Sequence, residues 1–286
     1  MELRIFKEFK EIDRIIQQAL KEDIGKVDIT TAHLIPEDKH ARAILICNQD
    51  NVIICGLPIA ERVFKSMDKN ILFESKVKEG ALIKKDRVVA LLEGRAKSIL
   101  TAERTALNFL SLLSGIATFT YRFKEKIKPY KVKILDTRKT HPNLRVLEKY
   151  AVRIGGGCNH RFRLDEMFLV KDNHIKLLGG IEGVKNILKK LKKKITRNIL
   201  FEIETKSIKE FRAAQELKPD IIMLDNLSLK EIKRIMKIKS RGIKIEVSGN
   251  VNLKNIKSIA KTGVDMISIG AITHSAKSVD FSLEII

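Results

Sequence analysis

Beyond residue 130 the sequence alternates short apolar runs with longer amphipathic stretches, and few architectures accept that pattern. The runs lie at 132–135 (VKIL), 167–170 (MFLV), 199–203 (ILFEI), 221–224 (IIML), 243–247 (IKIEV) and 266–269 (MISI). Helical patterns fill gaps at 181–194, 207–217, 228–239 and 252–262. Strands alternating with helices predict βαβ units around a parallel sheet. Such a sheet either opens with helices on both faces or closes into a barrel. Directly after the six runs come Asp136, Lys171, Glu204, Asp225, Ser248 and Gly270, and the last three intervals are 21, 23 and 22 residues, one strand-plus-helix unit each. In parallel α/β folds the carboxyl ends of the strands share one rim, where ligands bind. Polar and charged groups from distant parts of the chain therefore converge on one mouth. The pattern predicts an α/β enzyme with a barrel-like active-site face.

The first hundred residues read as a smaller α+β unit. Phe9, Ile12, Ile15, Ile16 and Leu20 fall at helical spacing within 7–21. Strand-like runs at 41–47 and 52–55, joined by Gln49-Asp50-Asn51, suit a hairpin. A helix near 57–67 and strands near 71–77 and 87–93 follow. From about 97 to 128 the pattern is helical, with Leu100, Ala106, Leu107, Leu110 and Leu113 on repeating faces, and this stretch marks the boundary between two domains.

Composition narrows the function classes. No segment of the 286 residues approaches the ~18 uninterrupted apolar residues of a membrane span. The opening MELRIFKEFKEIDR mixes acids with bases and lacks the apolar core of a secretory signal. Cys47, Cys55 and Cys158 show no metal-like or disulfide spacing, so a reducing, cytoplasmic setting is the expectation. The net charge of +21 favours anionic partners. The run Lys189-Lys190-Leu191-Lys192-Lys193-Lys194 suits the polar face and end of a helix. With 5% aromatic residues and no Trp, stacking platforms for single-stranded nucleic acid are poorly supplied. A nucleic-acid-binding reading also leaves every strand-end residue unexplained.

Three clusters carry the chemistry. They are Asp136-Thr137-Arg138-Lys139-Thr140-His141-Pro142, the segment Gly155 to Arg163 (GGGCNHRFR), and Lys171-Asp172-Asn173-His174. Together they set three Arg, two Lys and three His close to strand ends. Arg offers planar bidentate donors to carboxylate or phosphate, and Lys a compact point charge. A site so rich in cations is built for a ligand with several negative charges. Glu204 and Asp225 on the same rim suit ribose hydroxyls, a magnesium ion, or positive charge developing at a sugar carbon. Ser248-Gly249-Asn250 and Gly270-Ala271 each follow a strand and precede a predicted helix, whose N-terminus would favour a phosphate monoester. Physical reasoning alone reaches a phosphosugar enzyme.

The ordered blocks EDIGKVDITT (22–31), TAERTALNFLSLLSGIAT (101–118), ILDTRKTHPNLRVLEKYAVRIGGGCNHRF (134–162), VKDNHI (170–175), EIET (202–205), IMLDN (222–226), EVSGNV (246–251) and DMISIGAITHSAKSVDFSLEI (265–285) resemble the quinolinate phosphoribosyltransferase family almost end to end. The resemblance implies an N-terminal α/β sandwich domain (1–101, joined by a C-terminal helix 272–286) and an incomplete parallel α/β barrel (102–271). It implies transfer of phosphoribose from phosphoribosyl pyrophosphate to quinolinate with loss of carbon dioxide, in NAD biosynthesis, with Mg²⁺. It implies a homodimer, or a hexamer built from dimers, with no membrane or nucleic-acid partner. Carried over residue by residue, Arg138, His160, Arg161 and Lys171, with Thr137 and Lys139 beside them, resemble the quinolinate-binding set. Lys139, Lys171, Glu204 and Asp225 take the catalytic roles, with Glu204 and Asp225 also near the ribose and metal. Arg104 resembles the arginine that reaches a partner's site. Ser248, Gly249, Asn250, Ile269, Gly270 and Ala271 resemble the 5′-phosphate loops.

Two departures stand out. His141-Pro142-Asn143 occupies a place where the family commonly has Thr-Pro-Gly, and Arg163 one where Gly is common. Arg163 is expected to point to solvent. The nearest rival reading is a paralogous phosphoribosyltransferase of the same fold with another acceptor, such as the homologue found with molybdate-transport genes. Retention of the cation set favours a dicarboxylate.

Overall fold

The computed structural model describes residues 3–191 and 199–286. Helices α1 (Leu3–Ile24) and α2 (Ile29–Leu34) precede strands β1 (His40–Cys47) and β2 (Val52–Ile53) and helix α3 (Leu57–Met67). Strands β3 (Leu72–Ser75), β4 (Leu82–Ile83) and β5 (Arg87–Arg95) lead into the long helix α4 (Ala96–Lys126). Then come β6 (Lys133–Leu135), α5 (Arg145–Ile154), β7 (Phe168–Val170), α6 (Asp172–Leu177), α7 (Ile181–Leu191) and β8 (Phe201–Thr205). The chain finishes with α8 (Ile208–Gln215), β9 (Ile221–Asp225), α9 (Leu229–Ile238), β10 (Lys244–Ser248), α10 (Ile256–Ala260), β11 (Met266–Ser268), α11 (Ala271–His274) and β12 (Phe281–Ile285). The basic run assigned to a helix end continues past Leu191, and its residues 192–194 lie outside the described residues.

Two compact units divide the chain. The first comprises Met1–Tyr121, Thr140–Gly156 and Ala271–Ile286, and the second Arg122–Lys139 and Gly157–Gly270. A cut at 101/102 is therefore not observed. The division falls instead at Tyr121/Arg122, still inside α4 and within the 97–128 stretch read as the boundary.

The first unit is built on an antiparallel sheet of order β12-β1-β5-β3. In β1 the apolar Ala43, Leu45 and Cys47 are buried in alternation, the period-2 signature of a one-faced strand. Helix α1 buries Ile12, Ile15, Ile16 and Leu20 along one stripe. Two expectations fail here. The 41–47/52–55 hairpin does not form, because β1 pairs with β5 and β12 while β2 pairs with β4. The C-terminal helix over 272–286 is replaced by the short α11 and by β12, antiparallel to β1 with Leu45 opposite Leu283. Phe281, Leu283 and Ile285 alternate with Ser282 and Glu284, a strand period that a helix could not place on one face.

The second unit holds six strands, all parallel, in the order β6-β11-β10-β9-β8-β7. Chain order runs consecutively around the sheet, with β6 and β7 left as its two edges, so the barrel is incomplete. Cys158 partly fills the opening: its N–H donates to Ile134 O at 2.7 Å, and its carbonyl accepts from Asp136 N–H at 3.1 Å. Register places Ile203, Ile222, Ile245, Ile267 and Ile134 on the outer face of the sheet. Leu135, Ile221 and Met266 pack together inside, with Cys158 and Met167 against them, as an apolar floor.

Candidate active site

Above that floor the inward positions turn polar toward the strand ends. Glu202 and Glu204 share the inner face of β8, Glu246 and Ser248 that of β10, and Asp225 lies opposite Ser248 in the register. Lys171 follows β7 directly, and its Nζ stands 3.9 Å from Glu204 Oε2. Burial raises the Glu204 carboxyl above its ordinary value, and the charge of Asp225 adds to that rise, while Lys171 opposes it. Beside them Lys206 Nζ contacts Asp172 Oδ2 at 2.6 Å and holds that carboxyl below its usual range.

The two arginines form the other side of the chemistry. Arg161 Nη1 donates to Met167 O at 3.1 Å. Burial, then the neighbouring Arg138 charge, lowers the Arg161 guanidinium from its ordinary value. Arg138 Nε is buried with no hydrogen-bond partner among the described residues. Two neighbouring guanidiniums with a donor unspent favour an anion that joins them. Thr137 Oγ1 accepts from Lys139 N–H at 3.0 Å, which shapes the turn carrying the exposed Lys139 side chain.

The segment carrying His160 is pinned by Asp136, which is fully buried and accepts from His160 N–H at 2.9 Å and from the Asn159 amide. The His160 ring is turned inward with its side chain 8% exposed, and its Nε2 lies 3.1 Å from Glu202 Oε2 and 3.7 Å from Glu246 Oε2. Its Nδ1 accepts the N–H of Arg161 at 2.8 Å.

The loop after β10 is built around Gly249. Its φ of +86° belongs to glycine, and a Cβ there would lie 2.3 Å from Asn226 Oδ1. Asn250 Nδ2 donates to that same Oδ1 at 2.9 Å, and Asn226 N–H to Ser248 O at 3.0 Å. The helix anticipated directly after this loop starts only at Ile256 and runs five residues, so no helix dipole backs Ser248-Gly249-Asn250. Its start is delayed because Asn250 O and the Asn252 N–H are engaged by Asn255 in a turn. Ile269 N–H is spent on Leu135 O at 2.9 Å. Gly270 ends the second unit, whereas Ala271, on α11, and the exposed Arg104, on α4, belong to the first.

Of the residues singled out from sequence, Thr137, Arg138, Lys139, His160, Arg161, Lys171, Glu204, Asp225, Ser248, Gly249, Asn250, Ile269 and Gly270 all lie in the barrel unit. Arg163 is exposed and sits over the Phe162 ring at 5.7 Å. Asn143 has φ +64°, a left-handed position that Asn tolerates best after Gly. His141 bonds, through its backbone N–H and its Nδ1, to the buried Glu148. Glu202, Glu246 and Asn226 carried no role in the sequence reading. An acid every second residue in otherwise apolar strands, as in Phe201-Glu202-Ile203-Glu204, was the available signal.

An incomplete parallel α/β barrel with paired guanidiniums and an ammonium group facing two carboxylates defines an enzyme class that handles multiply charged small anions and sugar phosphates. Residues 28–114 match the domain described as quinolinate phosphoribosyl transferase, N-terminal domain, and residues 116–284 match the corresponding C-terminal domain. The chain belongs to the quinolinate phosphoribosyltransferase family. Relatives from Synechocystis sp. and Methanocaldococcus jannaschii, each named a probable nicotinate-nucleotide pyrophosphorylase (carboxylating), are 40% and 41% identical. Both alignments cover 96% of this chain, with 92% and 96% of the respective relative. The solved nicotinate-nucleotide pyrophosphorylase of Francisella tularensis superposes with a TM-score of 0.89 at 41% identity, covering 97% of this chain and 96% of that one.

Proposed function

We infer that this chain transfers phosphoribose from phosphoribosyl pyrophosphate to quinolinate, releasing pyrophosphate and carbon dioxide and forming nicotinate mononucleotide. The observation that carries the reading is the Arg138–Arg161 pair, like charges close enough to act on one another with a buried Arg138 donor unspent among the described residues. Quinolinate supplies two carboxylates to such a wall. Bound as a dianion by Arg138, Arg161 and Lys171, it presents its ring nitrogen to the anomeric carbon. As pyrophosphate departs, positive charge builds on the ribose, and Glu204 and Asp225 lie on the rim where they stabilise it. The new pyridinium then draws in the electrons of the breaking bond as the 2-carboxylate leaves, and that carbon takes up a proton. Lys139, exposed in the turn after β6, is assigned to the leaving group.

Glu204 and Asp225 also fit Mg²⁺. They are hard oxygen donors close enough for one charge to raise the other's carboxyl. When bound, the ion would neutralise charge on the pyrophosphate. The loop at Ser248, Gly249 and Asn250, with Gly270 and Ala271, takes the 5′-phosphate through backbone N–H groups and the serine hydroxyl. No described helix is long and apolar enough to cross a membrane. A cytoplasmic homodimer, or a hexamer of dimers, in which Arg104 from a second copy completes each site, fits the family resemblance.

The test is purified protein with quinolinate, phosphoribosyl pyrophosphate and Mg²⁺, followed for nicotinate mononucleotide and carbon dioxide, with nicotinate as control acceptor. Turnover of quinolinate with stoichiometric carbon dioxide supports the reading. Product formation from another acceptor without carbon dioxide release points instead to a paralogous transferase.

A further inference from the structure

Inside the barrel, Glu202 and Glu246 are fully buried, and Glu202 Oε1 and both oxygens of Glu246 have no hydrogen-bond partner among the described residues. Isolated buried carboxylates are costly, so their retention calls for a physical reason. Both converge on His160 Nε2, and the three potential ligand atoms lie within 4.8 Å of one another, which resembles a metal cage. The other ring nitrogen argues against that. Nδ1 accepts the Arg161 N–H at 2.8 Å, so it carries a lone pair and the ring proton resides on Nε2. A protonated Nε2 has no lone pair for a cation, and it donates to Glu202 instead.

The same geometry changes what His160 can do in the reaction. Its Nδ1 is committed to the backbone of the next residue and its Nε2–H to the acid on β8. A neutral imidazole turned inward this way offers a dianion no charge. Donation runs one way, from the Arg161 N–H to the ring and from the ring Nε2–H to Glu202, while the Arg161 guanidinium donates to Met167 O.

We propose that Glu202 and Glu246 are positioning residues which fix the Nε2–H tautomer of His160, and that His160 in turn sets the Arg161 backbone so that Arg161, not His160, meets the acceptor's carboxylate. The proposal rests on the quinolinate reading of the site and adds the acids that reading does not use. The groups facing Glu246 are Glu202 from β8, the His160 ring, Ser268 from β11 and Lys171 at the end of β7. Burial and then Glu202 push the Glu246 carboxyl up to about 7. A proton on Glu246 relieves the repulsion between the two acids without placing charge on the ring.

The direct test is ¹⁵N-histidine NMR on the full chain, free and with quinolinate. The expected His160 signature is one protonated and one unprotonated ring nitrogen from pH 5.5 to 8 in both states. An imidazolium pattern at pH 6.5 in the quinolinate complex overturns the proposal. Kinetics supply the second arm. Glu246→Ala and His160→Phe should raise KM for quinolinate about tenfold or more, leaving KM for phosphoribosyl pyrophosphate within about twofold. Glu246→Gln, an uncharged mimic of the protonated acid, should restore quinolinate KM to near the wild-type value at pH 6. Equal losses for both substrates, or no rescue by Gln in a variant that melts normally, count against it. If wild-type protein does not turn over quinolinate, the activity assignment fails, and the NMR signature of the free protein still reports on the Glu202–His160–Arg161 chain.

Discussion

Lys171 Nζ and Glu204 Oε2 stand 3.9 Å apart, a half-exposed ammonium group against an almost buried carboxylate. The pair joins the cationic and acidic sides of the barrel mouth. Removing the ammonium takes away a cation for the acceptor and leaves Glu204 facing Asp225 with less compensation. Lys171→Ala should therefore lower turnover about a hundredfold or more, as should Arg161→Ala. Steady-state kinetics with quinolinate check this, and near-normal kcat in both variants would exclude the assigned wall.

Much of this mouth was legible from spacing alone. Polar residues after regularly spaced apolar runs identify strand ends, and parallel pairing does the rest, which is why Lys171, Glu204, Asp225 and Ser248 converge as read. Pairing partners in the antiparallel sheet were not legible. The runs at β1 and β2 look like neighbours because they are close in sequence, yet β1 finds β12 more than 230 residues away. Local propensity carries no information on such distant partners. Glu202 and Glu246 were hidden for another reason: an acid inside an apolar run reads as an interruption until the register shows which face it occupies.

Glu246 links stability to pH. Its folded-state carboxyl is raised to about 7 from an ordinary 4.5. A raised acid stabilises the fold fully below about pH 4.5, and that contribution is lost as pH rises through about 7. Glu246→Gln cannot ionise, so it escapes the loss. The variant should exceed wild type by less than about 1 kcal/mol at pH 5 and by about 3 kcal/mol at pH 8. Denaturant unfolding at the two pH values measures the difference, and an equal shift at both would contradict the assigned titration.

Gly249 answers two demands at once, a φ of +86° and the close approach of Asn226. Alanine strains the backbone and must displace the Asn226 amide, which also holds Asn250. Gly249→Ala should cost about 1–3 kcal/mol of stability. Because the loop is assigned to the 5′-phosphate, KM for phosphoribosyl pyrophosphate should rise while KM for quinolinate changes little. A variant with both constants unchanged would place the phosphate elsewhere.

The proposed sharing of sites between copies has a quantitative consequence. Arg104 is exposed on α4 of the first unit, while Lys171 lies in the second. Suppose each site takes Lys171 from one copy and Arg104 from the other. Then Arg104→Ala and Lys171→Ala are each inactive as homodimers. In a mixed dimer one site carries both substitutions and the other carries neither. Statistical assembly makes about half of the dimers mixed, with one intact site of two, so co-expression should return about a quarter of wild-type activity. Differently tagged copies allow the mixed dimer to be purified, where specific activity should reach about half of wild type. Sites built within single chains cannot recover by mixing, and activity no higher than that of the parent variants would assign Arg104 to its own subunit.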